Sequence, residues 1–71
     1  MSLSPAEVQI VRLVAAGLTA REIGTELGRS EQTVKNTLRL IRRDLGVAET
    51  RQVPSAYMEA TGESPWPNGK L

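Results

Sequence analysis

The chain has 71 residues, a formal net charge of +1, and no Cys, His or Phe. That length allows one domain with a modest core. The missing residue types exclude disulfides, thiolate or imidazole metal sites and the commonest general base.

Ala, Leu, Val, Ile, Glu and Arg dominate and favour an all-α fold. No apolar run approaches the roughly 20 residues that span a bilayer. The start, "MSLSPAEVQI", lacks the basic region and long apolar core of a signal peptide. The expectation is a soluble cytoplasmic protein with no membrane contact.

Helix boundaries can be read in chain order. Ser4-Pro5-Ala6-Glu7 is a capping box with Pro at the first helical position. It predicts a first helix from about Pro5 to Ala16, stopped by Gly17, with Ile10, Val11, Leu13 and Val14 on its apolar side. Thr19-Ala20-Arg21-Glu22 is a second capping box. It opens a short helix, about Ala20 to Leu27, with Ile23 and Leu27 facing inward and Gly28 as its stop. Ser30 caps a third helix that runs to about Leu45, before Gly46, with Val34, Leu38, Ile41 and Leu45 as its core stripe. A fourth helix is predicted between about Arg51 and Thr61, before Gly62.

The last stretch, "ESPWPNGKL", has Pro and Gly on both sides of Trp66 and reads as a flexible tail over residues 63–71. The domain itself is placed at residues 1–62. Two short helices joined by "GRS" form the pattern of a helix-turn-helix, built from helices 2 and 3 of a four-helix, bundle-like domain. Any small helical bundle with a tight loop would show similar caps, so the exposed face must decide.

Charge is unevenly placed. Residues 29–43 carry Arg29, Lys35, Arg39, Arg42 and Arg43 against Glu31, a net +4. The segments on either side are slightly acidic. A basic stretch in such a chain is an electrostatic footprint for a polyanion. At about 100° per residue, Gln32, Asn36, Arg39, Leu40 and Arg43 point away from the core stripe, while Thr33, Lys35, Arg42 and Asp44 lie on the flanks. Gln32, Lys35, Asn36 and Arg39 suit base edges in a major groove, since Arg and Lys match guanine and Asn and Gln match adenine. Arg42 and Arg43 suit phosphates, and the hydroxyls of Ser30 and Thr33 sit near a helix N-terminus, where phosphate also binds.

From Leu3 to Gly62 the chain resembles the LuxR/GerE-type helix-turn-helix domain of bacterial transcription regulators. The stretches that carry the resemblance are "LSPAE", "VRLVAAGLTAREIGTELGRSEQTVKNTL", "LGV" and "TR", with Gly62 at the family's final helix stop. The resemblance implies a four-helix domain whose third helix enters the major groove of double-stranded DNA. It implies base contacts from Lys35, Asn36 and Arg39, and phosphate contacts near Arg21, Thr33 and Arg43.

Three departures stand out. Thr37 replaces a common histidine, and Asp44 replaces a common lysine just before "LGV". Pro54-Ser55 replaces an Ala-Val pair in the fourth helix, through which the family commonly dimerises. Pro54, Ser55, Tyr57 and Met58 are therefore the candidate dimer or partner surface. The expected state is a monomer, a weak homodimer, or a dimer formed on DNA.

The alternative to sequence-specific DNA binding is a helix-turn-helix used for protein docking, or as an accessory factor similar to the promoter-binding end of sigma factors. No enzyme, cofactor or metal is expected, because the eight acids are scattered without paired or ligand spacing. Trp66 leaves three readings open: a docking motif for a protein partner, a fold-back near helix 4, or disorder. Tyr57 is expected to pack in helix 4 with its hydroxyl at the surface. The family's regulators usually carry a sensor domain ahead of this module. The initial Met and short lead point to a stand-alone regulator rather than a piece cut from a larger one, and as a DNA binder it is expected to be nucleoid-associated.

Overall fold

The capping boxes form as their sequences require. In the computed structural model, which describes residues 3–67, Ser4 Oγ accepts from the Glu7 backbone N–H at 3.2 Å. Glu7 Oε1 accepts from the Ser4 N–H at 2.8 Å. Thr19 and Glu22 repeat the arrangement at 3.2 and 2.8 Å. Each box satisfies two N–H groups at a helix end that would otherwise lack partners, and so fixes where the helix begins.

Helix α1 spans Pro5–Ala15, α2 spans Ala20–Leu27 and α3 spans Glu31–Leu45. A 3-10 turn, Thr50–Gln52, leads directly into α4, Val53–Thr61. The described residues contain these four α-helices and no strand, so the fold is all-α. The first three helices match expectation, except that α1 ends one residue early. Ala16 takes its cap, and the chain turns through Gly17.

The entry to α4 differs from the expected helix start at about Arg51. Thr50–Gln52 winds as a 3-10 turn, and the Val53 N–H bonds to the Thr50 carbonyl. The Gln52 side chain folds back and accepts from the Glu49 N–H at 2.9 Å and the Ala48 N–H at 3.2 Å. Pro54 then falls in the first turn of α4, where its missing N–H costs nothing.

The core joins all four helices. Ile10 and Val11 come from α1, Ile23 from α2, Val34, Leu38 and Ile41 from α3, and Val53 and Tyr57 from α4. Burying an aliphatic side chain contributes about 1.5–3 kcal/mol. This single cluster is therefore what holds α3 against the rest. Leu13, Val14, Leu27 and Leu45, expected in the core, are half-buried and pack at its margin.

Part of the expected tail is described. Pro65 is buried and Ser64 and Trp66 are half-buried. Ser64, Pro65 and Trp66 line a shallow pocket together with Arg12, Leu13 and Ala16 of α1. Tyr57 donates its hydroxyl to Glu63 Oε1 at 3.2 Å, so that hydroxyl faces the chain's own C-terminal segment. Residues 64–66 thus lie beside α1, with Pro65 shielded from solvent. The segment folds back between the two helices, with Ser64–Trp66 beside α1 and Glu63 bonded to Tyr57 of α4. The rest of the expected tail, residues 68–71, lies outside the described residues, as do residues 1–2 of the expected domain.

Candidate nucleic-acid interface

The turn between α2 and α3 sets how α3 is presented. Gly28 adopts φ +69°, a left-handed conformation that a β-carbon disfavours, and closes α2. The Arg29 N–H bonds back to the Gly24 carbonyl at 2.8 Å. Gly24 is buried on α2, and a β-carbon there would lie 2.6 Å from the Arg29 carbonyl oxygen. The turn lies this close to α2 because Gly24 has no side chain.

Ser30 then starts α3 at once. Its Oγ accepts from the Thr33 N–H at 3.1 Å and donates to Thr33 Oγ1 at 2.9 Å. Both hydroxyls are exposed, but they are engaged with each other and with the cap. Val34, Leu38 and Ile41 point inward and leave Gln32, Asn36, Arg39, Leu40 and Arg43 exposed on the opposite side. No acidic residue occurs between Glu31 and Asp44.

Three of these exposed side chains touch. Asn36 Oδ1 accepts from Gln32 Nε2 at 3.1 Å and from Arg39 Nη2 at 2.8 Å. The carboxamide oxygen is thereby saturated, and the Asn36 amide group is oriented to offer its N–H donors. Spacings of three and four residues make such a row natural on a helix. Lys35 stands beside it, with Nζ 3.3 Å from Glu31 Oε2 across an exposed i,i+4 pair. Such surface pairs are worth under about 1 kcal/mol, so Lys35 is readily released to another anion.

The remaining expected contacts are dispersed. Arg21 is exposed in the first turn of α2, and Arg43 is exposed in the last turn of α3. Neither forms an ion pair among the described residues. Arg42, expected to hold phosphate, has a partner within the chain. It is half-buried, and its Nη1 donates to Thr50 Oγ1 at 2.8 Å. This bond joins α3 to the turn before α4, a link across eight residues that periodicity does not reveal. Thr37, where the family commonly has histidine, is half-buried, with its hydroxyl on the Thr33 carbonyl at 3.0 Å. Asp44 is exposed and forms no ion pair among the described residues.

The expected dimer or partner surface is only partly a surface. Pro54 and Tyr57 are buried within the single chain and cannot face a second molecule. Ser55 is exposed and Met58 is half-buried. Pro54 was expected outside the core, but its place directly after buried Val53 turns it inward. No helix among the described residues is long and apolar enough to cross a membrane.

A family model described as bacterial regulatory proteins, luxR family, matches residues 1–55. The chain is also similar to the probable HTH-type transcriptional regulator GfsR of Streptomyces halstedii. The two are 42% identical over 52 residues, a match that covers 73% of this chain and 21% of that protein. The chain thus spans about a fifth of that relative's length. No solved structure matches it.

Proposed function

The chain belongs to the luxR family of bacterial regulatory proteins, and we propose that it binds double-stranded DNA in a sequence-specific manner, with α3 in the major groove. The observation that carries this reading is the exposed side of α3. It holds Gln32, Asn36 and Arg39 together over two turns, with Lys35 beside them and Glu31, at the start of the helix, as the one neighbouring acid. A solvated helix face usually mixes its charges.

In this reading Asn36 and Arg39 read base edges, with Lys35 and Gln32 beside them. The coupling of Asn36 to Arg39 sets donors in advance, so less side-chain entropy is lost on binding. Arg43 and Arg21 hold phosphates, and Ser30 and Thr33 add hydroxyls at the start of α3. Such contacts position the protein, whereas base contacts specify the site. Arg42 acts indirectly, by fixing the end of α3 against the turn before α4. The role is transcription regulation at the nucleoid, and pairing on adjacent half-sites is its natural setting.

Selection of bound duplexes from a random DNA pool tests this. The expected result is an enriched motif of a few base pairs per half-site. Retention of no motif, with equal weak binding to all duplexes, would leave unspecific binding. Retention of no DNA would favour protein docking.

A further inference from the structure

We propose that Leu40 is a specificity-determining residue that packs against the C5-methyl group of a thymine in the major groove; this rests on the DNA-binding reading above. Leu40 is the one large hydrophobic side chain left exposed among the described residues, at 45%. The core of this chain takes Val, Ile, Leu and Tyr side chains down to a few per cent exposure.

Its position decides what it meets. It follows Arg39 directly, stands four residues after Asn36 and three before Arg43, and so lies within the polar exposed side of α3. A helix that lays Asn36 and Arg39 on base edges brings Leu40 to the same groove wall, one turn further along. The major groove offers one apolar group, the thymine methyl, and apolar side chains are its natural readers. The flanking cations, Arg39 and Arg43, argue against an apolar protein partner at this spot, since covering Leu40 would also desolvate two charges. On DNA the same two charges are favoured by the phosphate field.

The test removes the methyl without touching any hydrogen-bonding group. A duplex selected by the full chain is remade with deoxyuridine in place of thymine, one position at a time, and binding of the unaltered chain and of Leu40→Ala is compared. Ala keeps the helix propensity and withdraws most of the side chain. For the unaltered chain, one position per half-site should weaken about fourfold, as the loss of one buried methyl predicts. For L40A the same replacement should change binding by less than a factor of two. A motif in which no thymine-to-deoxyuridine change separates the two proteins overturns the role of Leu40 while leaving the DNA-binding reading intact. Absence of any selected motif overturns the role of Leu40 together with the sequence-specific part of that reading.

Discussion

Arg42 donates from Nη1 to Thr50 Oγ1 at 2.8 Å, and this bond ties the end of α3 to the turn that starts α4. Both residues are half-buried, so the bond is shielded from much of the solvent. A net contribution of about 1 kcal/mol is expected for such a bond. Arg42→Ala should lower the melting temperature by roughly 4–8 °C, as should Thr50→Ala. The double variant should lose less than the sum, because both changes remove one interaction. Strict additivity would show that the bond contributes nothing.

Arg43 should behave differently although it is the next residue. It is exposed and forms no ion pair among the described residues. Arg43→Ala should leave the melting temperature nearly unchanged. On DNA it should weaken all sequences alike and reduce the slope of log affinity against log salt by about 0.9. An unchanged slope in a salt titration would remove Arg43 from the phosphate contacts.

Asn36 and Arg39 should govern sequence preference. Either change to Ala is expected to cost roughly 1–3 kcal/mol on the selected site and to relax one base position. Because Arg39 donates to Asn36 Oδ1, Asn36→Ala also frees the guanidinium that this bond orients. The two costs should therefore not add. If Arg39→Ala kept both affinity and preferred sequence, α3 would not be docked as proposed.

Local chemistry made most of the fold legible. Ser4, Thr19 and Ser30 act on N–H groups within three residues, so their helices can be located from a few letters. The inward stripe of α3 follows from its period, and the period also marks Gln32, Asn36 and Arg39 as exposed. What escaped depends on residues far apart in the chain. Arg42 lies on the flank of α3, and only the position of Thr50 gives it a partner within the chain. Pro65 looks like a loop residue until α1 is beneath it. Gly24 stands out only once the Arg29 carbonyl is placed against it.

The segment after Gly62 should matter for stability. Removing it takes away buried Pro65, half-buried Trp66 and the acceptor of the Tyr57 hydroxyl. At ~25 cal/mol per Å² of apolar area, a loss on the order of 1–2 kcal/mol is expected. A chain truncated after Gly62 should keep its helical circular dichroism and melt several degrees lower. An unchanged melting temperature would show that this packing is not maintained in solution.

We propose that the free chain is a monomer or a weak dimer, and Ser55 is the residue that tests it. Ser55 is exposed on α4, whereas its neighbour Pro54 is buried. Pro54→Ala would therefore disturb the fold and confuse the result. Ser55→Val alone adds apolar area on the order of 1–2 kcal/mol per subunit where a second α4 covers it. A two-fold interface counts that gain twice. Sedimentation across the micromolar range should show stronger self-association for Ser55→Val. A tight, concentration-independent dimer of the unaltered chain would contradict the proposal.

Gly24 carries the clearest steric prediction. Ala is favoured over Gly inside a helix by about 1 kcal/mol, so propensity alone would make Gly24→Ala stabilising. The added β-carbon would meet the Arg29 carbonyl oxygen at 2.6 Å and the Ser30 carbonyl carbon at 3.3 Å. Both are backbone atoms and cannot swing aside like a side chain. The Arg29 N–H is meanwhile bonded to the Gly24 carbonyl, which keeps the turn close. Relief requires the whole turn to move, and overpacking of this kind costs typically 1–3 kcal/mol. The steric cost should outweigh the propensity gain, giving a lower melting temperature. The same shift would change the angle at which α2 presents α3, so affinity for the selected duplex should fall further than stability alone explains. A variant that melts higher and binds equally well would show that the turn relaxes without cost.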